Sequence, residues 1–206
     1  MNQAATPLTP RERRHQRTRQ AILDAALELI NQGGMKELSM RKIAERIDYS
    51  PAGLYEYFGS KEEIIAAACA QAEQRLEAYM KAVDPSLPPA QRLVELGMAY
   101  IRFAQNYSEQ FIALQFSQAS GQTELPAPVE THGSFKVLLE TVQEAMNAGE
   151  ISAEPYDVFT VAYTCWAFVH GMALLRLTTL KDVEVDFEPV NRWALEKYIE
   201  GLRTTS

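Results

Sequence analysis

The stretch SPAGLYEYF, residues 50–58, sets a proline and a glycine within its first four positions and two tyrosines and a phenylalanine within its last four. Pro51 lacks the N–H that a strand ladder needs, and together with Gly53 it would weaken a long helix. The pattern fits the start of a short helix. Ser50 is the expected N-cap and Pro51 the first helical residue, where the missing N–H costs nothing, while Tyr49 and Leu54 occupy the positions of a hydrophobic staple. Small residues let such an end approach another surface closely, and its unpaired N–H groups suit an anion.

Immediately before it, Ser39 to Ile47 reads as another helix, with Leu38 and Ile43 as its staple and a bend at Asp48-Tyr49. Two short helices joined by a bend form a helix-turn-helix, whose second helix enters the DNA major groove N-terminus first. Pro51, Ala52 and Gly53 are then the bare leading end. Leu54 and Phe58, with Ile43, Ala44 and Ile47, are the expected hydrophobic backing, and Tyr55 and Tyr57 keep polar tips for phosphate unless they serve only as core.

Working outward, Thr9, Pro10 and Glu12 have the spacing of a capping box, so a first helix runs from Pro10 to Gly33. A fourth starts with Ser60 and Glu63 as another capping box and continues to about Val83. Asp84-Pro85 and Pro88-Pro89 punctuate the chain. Further helices are expected at Ala90 to Tyr107, Glu109 to Ala119, Val129 to Ala148, Tyr156 to Thr179 and Glu188 to Leu202, with loops at Gly121 to Pro128 and Leu180 to Phe187. No alternating strand pattern interrupts them. The expectation is an all-α protein of about nine helices: a three-helix DNA-binding domain over residues 1–62, followed by a helical bundle over residues 63–206 that binds an effector and dimerises.

With 206 residues and 47% apolar content the chain can build a substantial core, and its net charge of −7 conceals an uneven distribution. Residues 1–61 carry ten Lys/Arg against seven Asp/Glu, net +3, while the remainder carries ten against twenty, net −10. The basic excess is densest in RERRHQRTR, Arg11 to Arg19, which points to a local anionic partner or, more plainly, to a solvated helix face. Cys69 and Cys165 are too few for a disulfide framework and suit a reducing compartment, and the N-terminus lacks the apolar run of a secretory signal. A cytoplasmic location is expected. Val158 to Leu175 has no Asp, Glu, Lys or Arg, but its polar and aromatic residues and the lack of flanking basic clusters favour a bundle helix over a membrane span.

The run ILDAALELINQGGMKELSMRKIAERIDYSPAGLYEYFGSKEEII resembles the TetR family of bacterial transcriptional regulators, with IA, YSPAGLYEYF and SKEEI in register. The resemblance implies that Ser50, Tyr55, Tyr57 and Lys61 hold phosphates and that Arg41, Pro51, Ala52 and Gly53 lie near bases. Asp48 departs from the glycine common at this turn, though Asp tolerates the left-handed region. Glu56 is a second departure, since a carboxylate facing phosphate would repel; it either points away or accepts from a cytosine amino group. Later, AYIRFAQNYSEQFIALQF and CWAFVHGMALL are similar to the C-terminal domain of a subgroup with a Trp and a His-Gly pair on the eighth helix, which implies dimerisation and an effector pocket.

Trp166 and His170, one turn apart, are expected with Phe103, Tyr107 and Phe111 to line an aromatic effector cavity, unless they are simply core. Tyr156 to Leu177 is apolar nearly all round, so one face should meet its own bundle and the other a partner. Trp193, Leu195 and Ile199 are expected to add apolar dimer contacts, Ala173 to lie on the outer face, and Gly171 to permit close helix contact. Cys165 and His170 lack a third ligand at metal-binding spacing, so no metal and no cofactor is expected. None of GxSxG, HExxH, GxGxxG or a phosphate-binding loop is present. The expected activity is that of a repressor released from an inverted-repeat operator in double-stranded DNA by an apolar small molecule. A constitutive DNA binder without an effector, and a helical enzyme or carrier, remain as alternatives.

Overall fold

Thr9 opens the first helix through reciprocal hydrogen bonds: the Glu12 N–H donates to Thr9 Oγ1 at 3.3 Å, and the Glu12 carboxylate accepts from the Thr9 N–H at 2.7 Å. In the computed structural model residues 8–119, 133–152 and 154–203 are described, 116–119 for their backbone alone. The helices are α1 (Pro10–Gly33), α2 (Met40–Arg46), α3 (Pro51–Leu54), α4 (Lys61–Lys81), α5 (Pro89–Asn106), α6 (Ser108–Ala119), α7 (Gly133–Asn147), α8 (Val158–Leu177) and α9 (Phe187–Gly201). Among the described residues the fold is all-helical, as the sequence leads one to expect. The loop expected at Gly121 to Pro128, and the start of the seventh helix at Val129, lie outside the described residues.

The helix ends show where local chemistry was read correctly and where it was not. Gly34, rather than Gly33, takes the left-handed conformation at φ 74° and ends α1. A short 3-10 turn, Met35–Glu37, then leads to α2 and was not expected. At α4 the Ser60 hydroxyl accepts from the Glu63 N–H at 3.1 Å, but the Glu63 carboxylate reaches the Gly59 N–H at 2.7 Å, one residue before its capping-box position. Pro88 carries no side-chain acceptor to cap α5, and the Glu150 carboxylate accepts from the Ala90 N–H at 2.7 Å instead.

The chain divides into two compact units. Of the described residues, the first holds those up to Gln71 and those from Ile112 to Ala119; the second holds Ala72–Phe111 and those from Gly133 onward. The division falls inside α4. In the first unit Ile22, Ala26 and Ile30 of α1, Ile43 and Ala44 of α2, and Leu54, Phe58 and Ile64 form a fully buried centre. Burying each large apolar side chain there contributes about 1.5–3 kcal/mol. Arg46 ties α2 to α1 through Glu28 at 3.0 Å and Gln32 at 2.9 Å.

In the second unit α5 is central, packed by α7, α8 and α9. A Cβ on Gly97 would stand 2.9 Å from Leu195 Cδ1 and 3.1 Å from Val169 Cγ1, so this glycine permits the close approach of α8 and α9 to α5. That is the role expected of Gly171, around which nothing among the described residues lies within 4 Å of a Cβ. Ala173, expected on the outer face, is buried in the core, as are Leu195 and Ile199. The large exposed apolar residues of α8 and α9 are Phe159, Tyr163, Leu175, Val190 and Trp193. Helix α8 is long and apolar enough by composition to cross a membrane, but Val161, Ala162, Cys165, Val169 and Ala173 form a buried stripe against the bundle. Burial pushes the Cys165 thiol up to about 12, so it stays protonated and unreactive.

Candidate DNA interface and aromatic cluster

The bend between α2 and α3 is closed by the Tyr49 N–H, which donates to the Ala44 carbonyl at 2.9 Å, and Asp48 takes φ 53° there, the left-handed turn expected of it. Ser50 caps α3 by accepting from the Gly53 N–H at 3.0 Å, leaving its own O–H to donate elsewhere. Pro51 and Ala52 are exposed at the leading end. A Cβ on Gly53 would meet the Tyr49 ring at 3.0 Å, so glycine is needed for the ring to lie there. Helix α3 ends at Leu54, four residues short of the expected Phe58, because a turn carries the chain to Phe58 and lets it bury beside Leu54.

Tyr49, expected to staple against Leu54, lies over Gly53 and reaches Tyr57, with hydroxyl to hydroxyl at 3.2 Å. That hydrogen bond raises the Tyr49 phenol above its ordinary value. Tyr55 is 56% exposed and Glu56 is exposed, whereas Tyr57 is half-buried beneath the His15 ring, centroids 4.7 Å apart. Lys61, at the start of α4, has neither a hydrogen bond nor an ion pair among the described residues. Arg41 is highly exposed and paired through Nε with Glu45 Oε1 at 2.7 Å, which leaves its two terminal NH2 groups to donate to a base edge. Arg41, Ser50, Pro51, Ala52, Gly53, Tyr55, Tyr57 and Lys61 thus lie within one compact unit.

The aromatic residues of the second unit fall into two groups. Phe111, Trp166 and His170 gather around Tyr100: the Tyr100 ring is 5.5 Å from Phe111, Phe111 is 5.8 Å from His170, and Trp166 is 6.0 Å from His170. Phe135 adds a ring 5.5 Å from Trp166. Phe103 and Tyr107 pair instead with Tyr79, which lies 5.7 Å and 6.0 Å from them, and the Arg75 guanidinium stands over the Tyr107 ring at 4.8 Å. Sequence reasoning missed Tyr100, Phe135 and Tyr79. Tyr100 was accessible, because it precedes Phe103 and Tyr107 by three and seven residues, the spacing of one helix face. Burial lowers the His170 pKa and raises that of Tyr100, so the histidine is held toward its neutral form and the phenol stays protonated. Among the described residues no three of His, Cys, Asp and Glu are grouped to hold a metal ion.

A helix-turn-helix with an exposed leading end, on a chain that goes on into a separate aromatic-lined bundle, defines a DNA-binding transcriptional regulator. Residues 22–68 match the family model of bacterial regulatory proteins, tetR family, and residues 93–198 match the tetracyclin repressor-like C-terminal domain. The chain belongs to the tetR family. It is 30% identical to the HTH-type transcriptional repressor KstR of Mycolicibacterium smegmatis over 153 residues, covering 72% of each chain. The match to KstR of Rhodococcus jostii, 37% identical over 75 residues, covers 36% of this chain and spans 35% of that protein. Among solved structures, a protein of unknown function from Rhodococcus sp. RHA1 aligns at TM-score 0.76 and 21% identity, covering 98% of this chain and all of that one. The TetR family regulator PfmR of Thermus thermophilus aligns at TM-score 0.65 and 22% identity over 89% of this chain and 99% of its own.

Proposed function

We propose that the protein is a repressor that holds an inverted-repeat operator as a homodimer and releases it when a mostly apolar small molecule enters the bundle. The observation that carries the reading is the exposed leading end Ser50 to Ala52 set on a buried base, within the stretch that matches the family's N-terminal model. Residues 1–62 serve as the DNA-binding domain and residues 63–206 as the effector and dimerisation domain. Ser50, Tyr55, Tyr57 and Lys61 hold phosphates, while Arg41, Pro51, Ala52 and Gly53 lie near bases. Such a protein acts on the chromosome, in the cytoplasm, and needs neither cofactor nor catalytic residue. The resemblance to KstR, named a transcriptional repressor, supports repression as the sign of regulation.

The effector site is the cluster of Phe111, Trp166 and His170 with Tyr100, extended by Phe103 and Tyr107. Helix α4 runs from the first unit into the second, and release requires that a ligand shifting its second half displace its first. Two recognition helices fit successive major grooves at one separation only, and a small displacement weakens both. A hundredfold loss of DNA affinity requires about 2.7 kcal/mol of coupling, and operator DNA must weaken the ligand by the same factor.

The test is selection of bound duplexes from genomic fragments, followed by mobility shift at increasing salt. Affinity should fall with a log–log slope of about −0.9 per phosphate neutralised. Tyr57→Phe and Lys61→Ala should weaken specific and nonspecific duplexes alike, whereas Arg41→Ala should cost about 1–3 kcal/mol of discrimination at one base pair. Retention of no duplex, or binding indifferent to salt, refutes the reading. An effector found by screening that binds equally well with and without operator refutes release.

A further inference from the structure

Nine basic side chains are ion-paired among the described residues: Arg41, Lys42, Arg46, Lys81, Arg92, Arg102, Lys136, Arg192 and Lys197. No arginine of the run from Arg11 to Arg19 is among them. The single carboxylate in that run, Glu12, is turned back onto Thr9, whose hydrogen bonds hold it below the usual carboxylate range. These arginines therefore stay uncompensated on a chain whose net charge is −7. Their placement is also costly. They crowd the first turns of α1, the positive end of the helix dipole, and stand at three- and four-residue spacings where like charges repel.

The row at four-residue spacing, Arg11, His15 and Arg19, is tied to the recognition segment. The Arg19 guanidinium lies 4.3 Å from the centre of the Phe58 ring, and the His15 ring lies 4.7 Å from that of Tyr57. Arg11 continues this row one turn beyond Tyr57, with Arg14 beside it at three-residue spacing. Arg13 and Arg17 stand about 160° around the helix from His15, at 100° per residue. There, with Gln16, Gln20 and the edge of Arg19, they line a shallow groove.

We propose that Arg11, Arg14 and His15 form a second phosphate-binding surface that continues the DNA contact past Tyr57, onto the backbone flanking each half-site. The free protein carries the repulsion among these charges, and a polyanion seated beside Tyr57 relieves it. The inference rests on the DNA-binding reading above.

The experiment uses the full chain and a duplex recovered by the genomic selection, with affinity measured by fluorescence anisotropy across a salt series. Arg11→Gln/Arg14→Gln should make the log–log slope shallower by about 1.8 for each subunit bound, about 3.6 for the dimer, and lower affinity about 10–100-fold per half-site at 0.1 M salt. Arg13→Gln/Arg17→Gln removes the same charge from the other side of α1 and should leave the slope near that of the unaltered protein. Glutamine is a good helix former, so both variants should keep their helicity, and loss of repulsion should hold or raise the melting temperature. Trimming the flanks of the duplex should abolish the difference between the unaltered protein and the first variant. Equal slope changes from the two variants would reduce the effect to net charge and overturn the assignment. Specific binding by the unaltered protein with no slope change from Arg11→Gln/Arg14→Gln would overturn this inference alone, and absence of duplex binding would remove it together with the DNA reading.

Discussion

The Tyr100 hydroxyl stands 2.8 Å from Nδ1 of His170, bridging α5 and α8 inside an otherwise aromatic cluster. The same hydroxyl receives the Trp166 indole N–H at 3.3 Å. An indole N–H can only donate, so it occupies a lone pair of the phenol and leaves the phenolic proton directed at Nδ1. Neutral His170 then carries its proton on Nε2, which has no hydrogen-bond partner among the described residues. The cluster thereby joins indole, phenol and imidazole by hydrogen bonds within aromatic surroundings.

Tyr100→Phe removes the acceptor for Trp166 and the donor to His170 while keeping the ring. Leaving two groups of a buried network without a partner should cost about 1–3 kcal/mol, read as a lower denaturant midpoint at unchanged m-value, with altered tryptophan emission. An unchanged midpoint would mean that water replaces both bonds.

His170 gives the protein a pH dependence of known sign. Burial holds its folded pKa below the unfolded value of about 6.5, so the unfolded chain binds more protons as pH falls. The stability that goes with the neutral imidazole is complete above the unfolded pKa and is lost as pH falls toward the folded one. Chemical denaturation between pH 8 and pH 5, ranges set by that reference value of about 6.5, should show stability falling with acidity, and His170→Gln should flatten the curve.

Gly97 and Gly171 should respond oppositely to alanine. Gly97→Ala forces a methyl against Leu195 and Val169 and should destabilise by about 1–3 kcal/mol. Gly171→Ala meets nothing among the described residues and, as an exchange within a helix, should stabilise the isolated subunit by about 0.5–1 kcal/mol. Thermal melts of both variants check the pair, and loss of dimer in Gly171→Ala would show that a second subunit approaches there.

The proposed dimer is best tested at Trp193, which is 61% exposed on α9, near Val190. Trp193→Glu should give a monomer by light scattering at micromolar concentration, with helicity intact and operator binding lost. Leu195→Glu should instead unfold the bundle, because it places a charge in the core. A monomeric unaltered protein would rule out the two-fold assembly.

Local chemistry made the first unit legible from sequence. Thr9, Ser39, Ser50 and Ser60 each cap the helix they were expected to cap, and Asp48 takes the left-handed turn expected at its position. A cap and its backbone partner lie within three residues of each other, so spacing alone specifies them. The fourth, fifth and ninth helices followed from apolar periodicity and prolines in the same way. Helix α8 is different, because its apolar residues surround it and no period marks a buried side. Only packing decided that Ala173, with Leu195 and Ile199 on α9, faces inward, that Gly97 rather than Gly171 admits the neighbouring helices, and that Tyr100, 70 residues away in sequence, meets His170. These are contacts between side chains distant along the chain, set by which helix faces fit together.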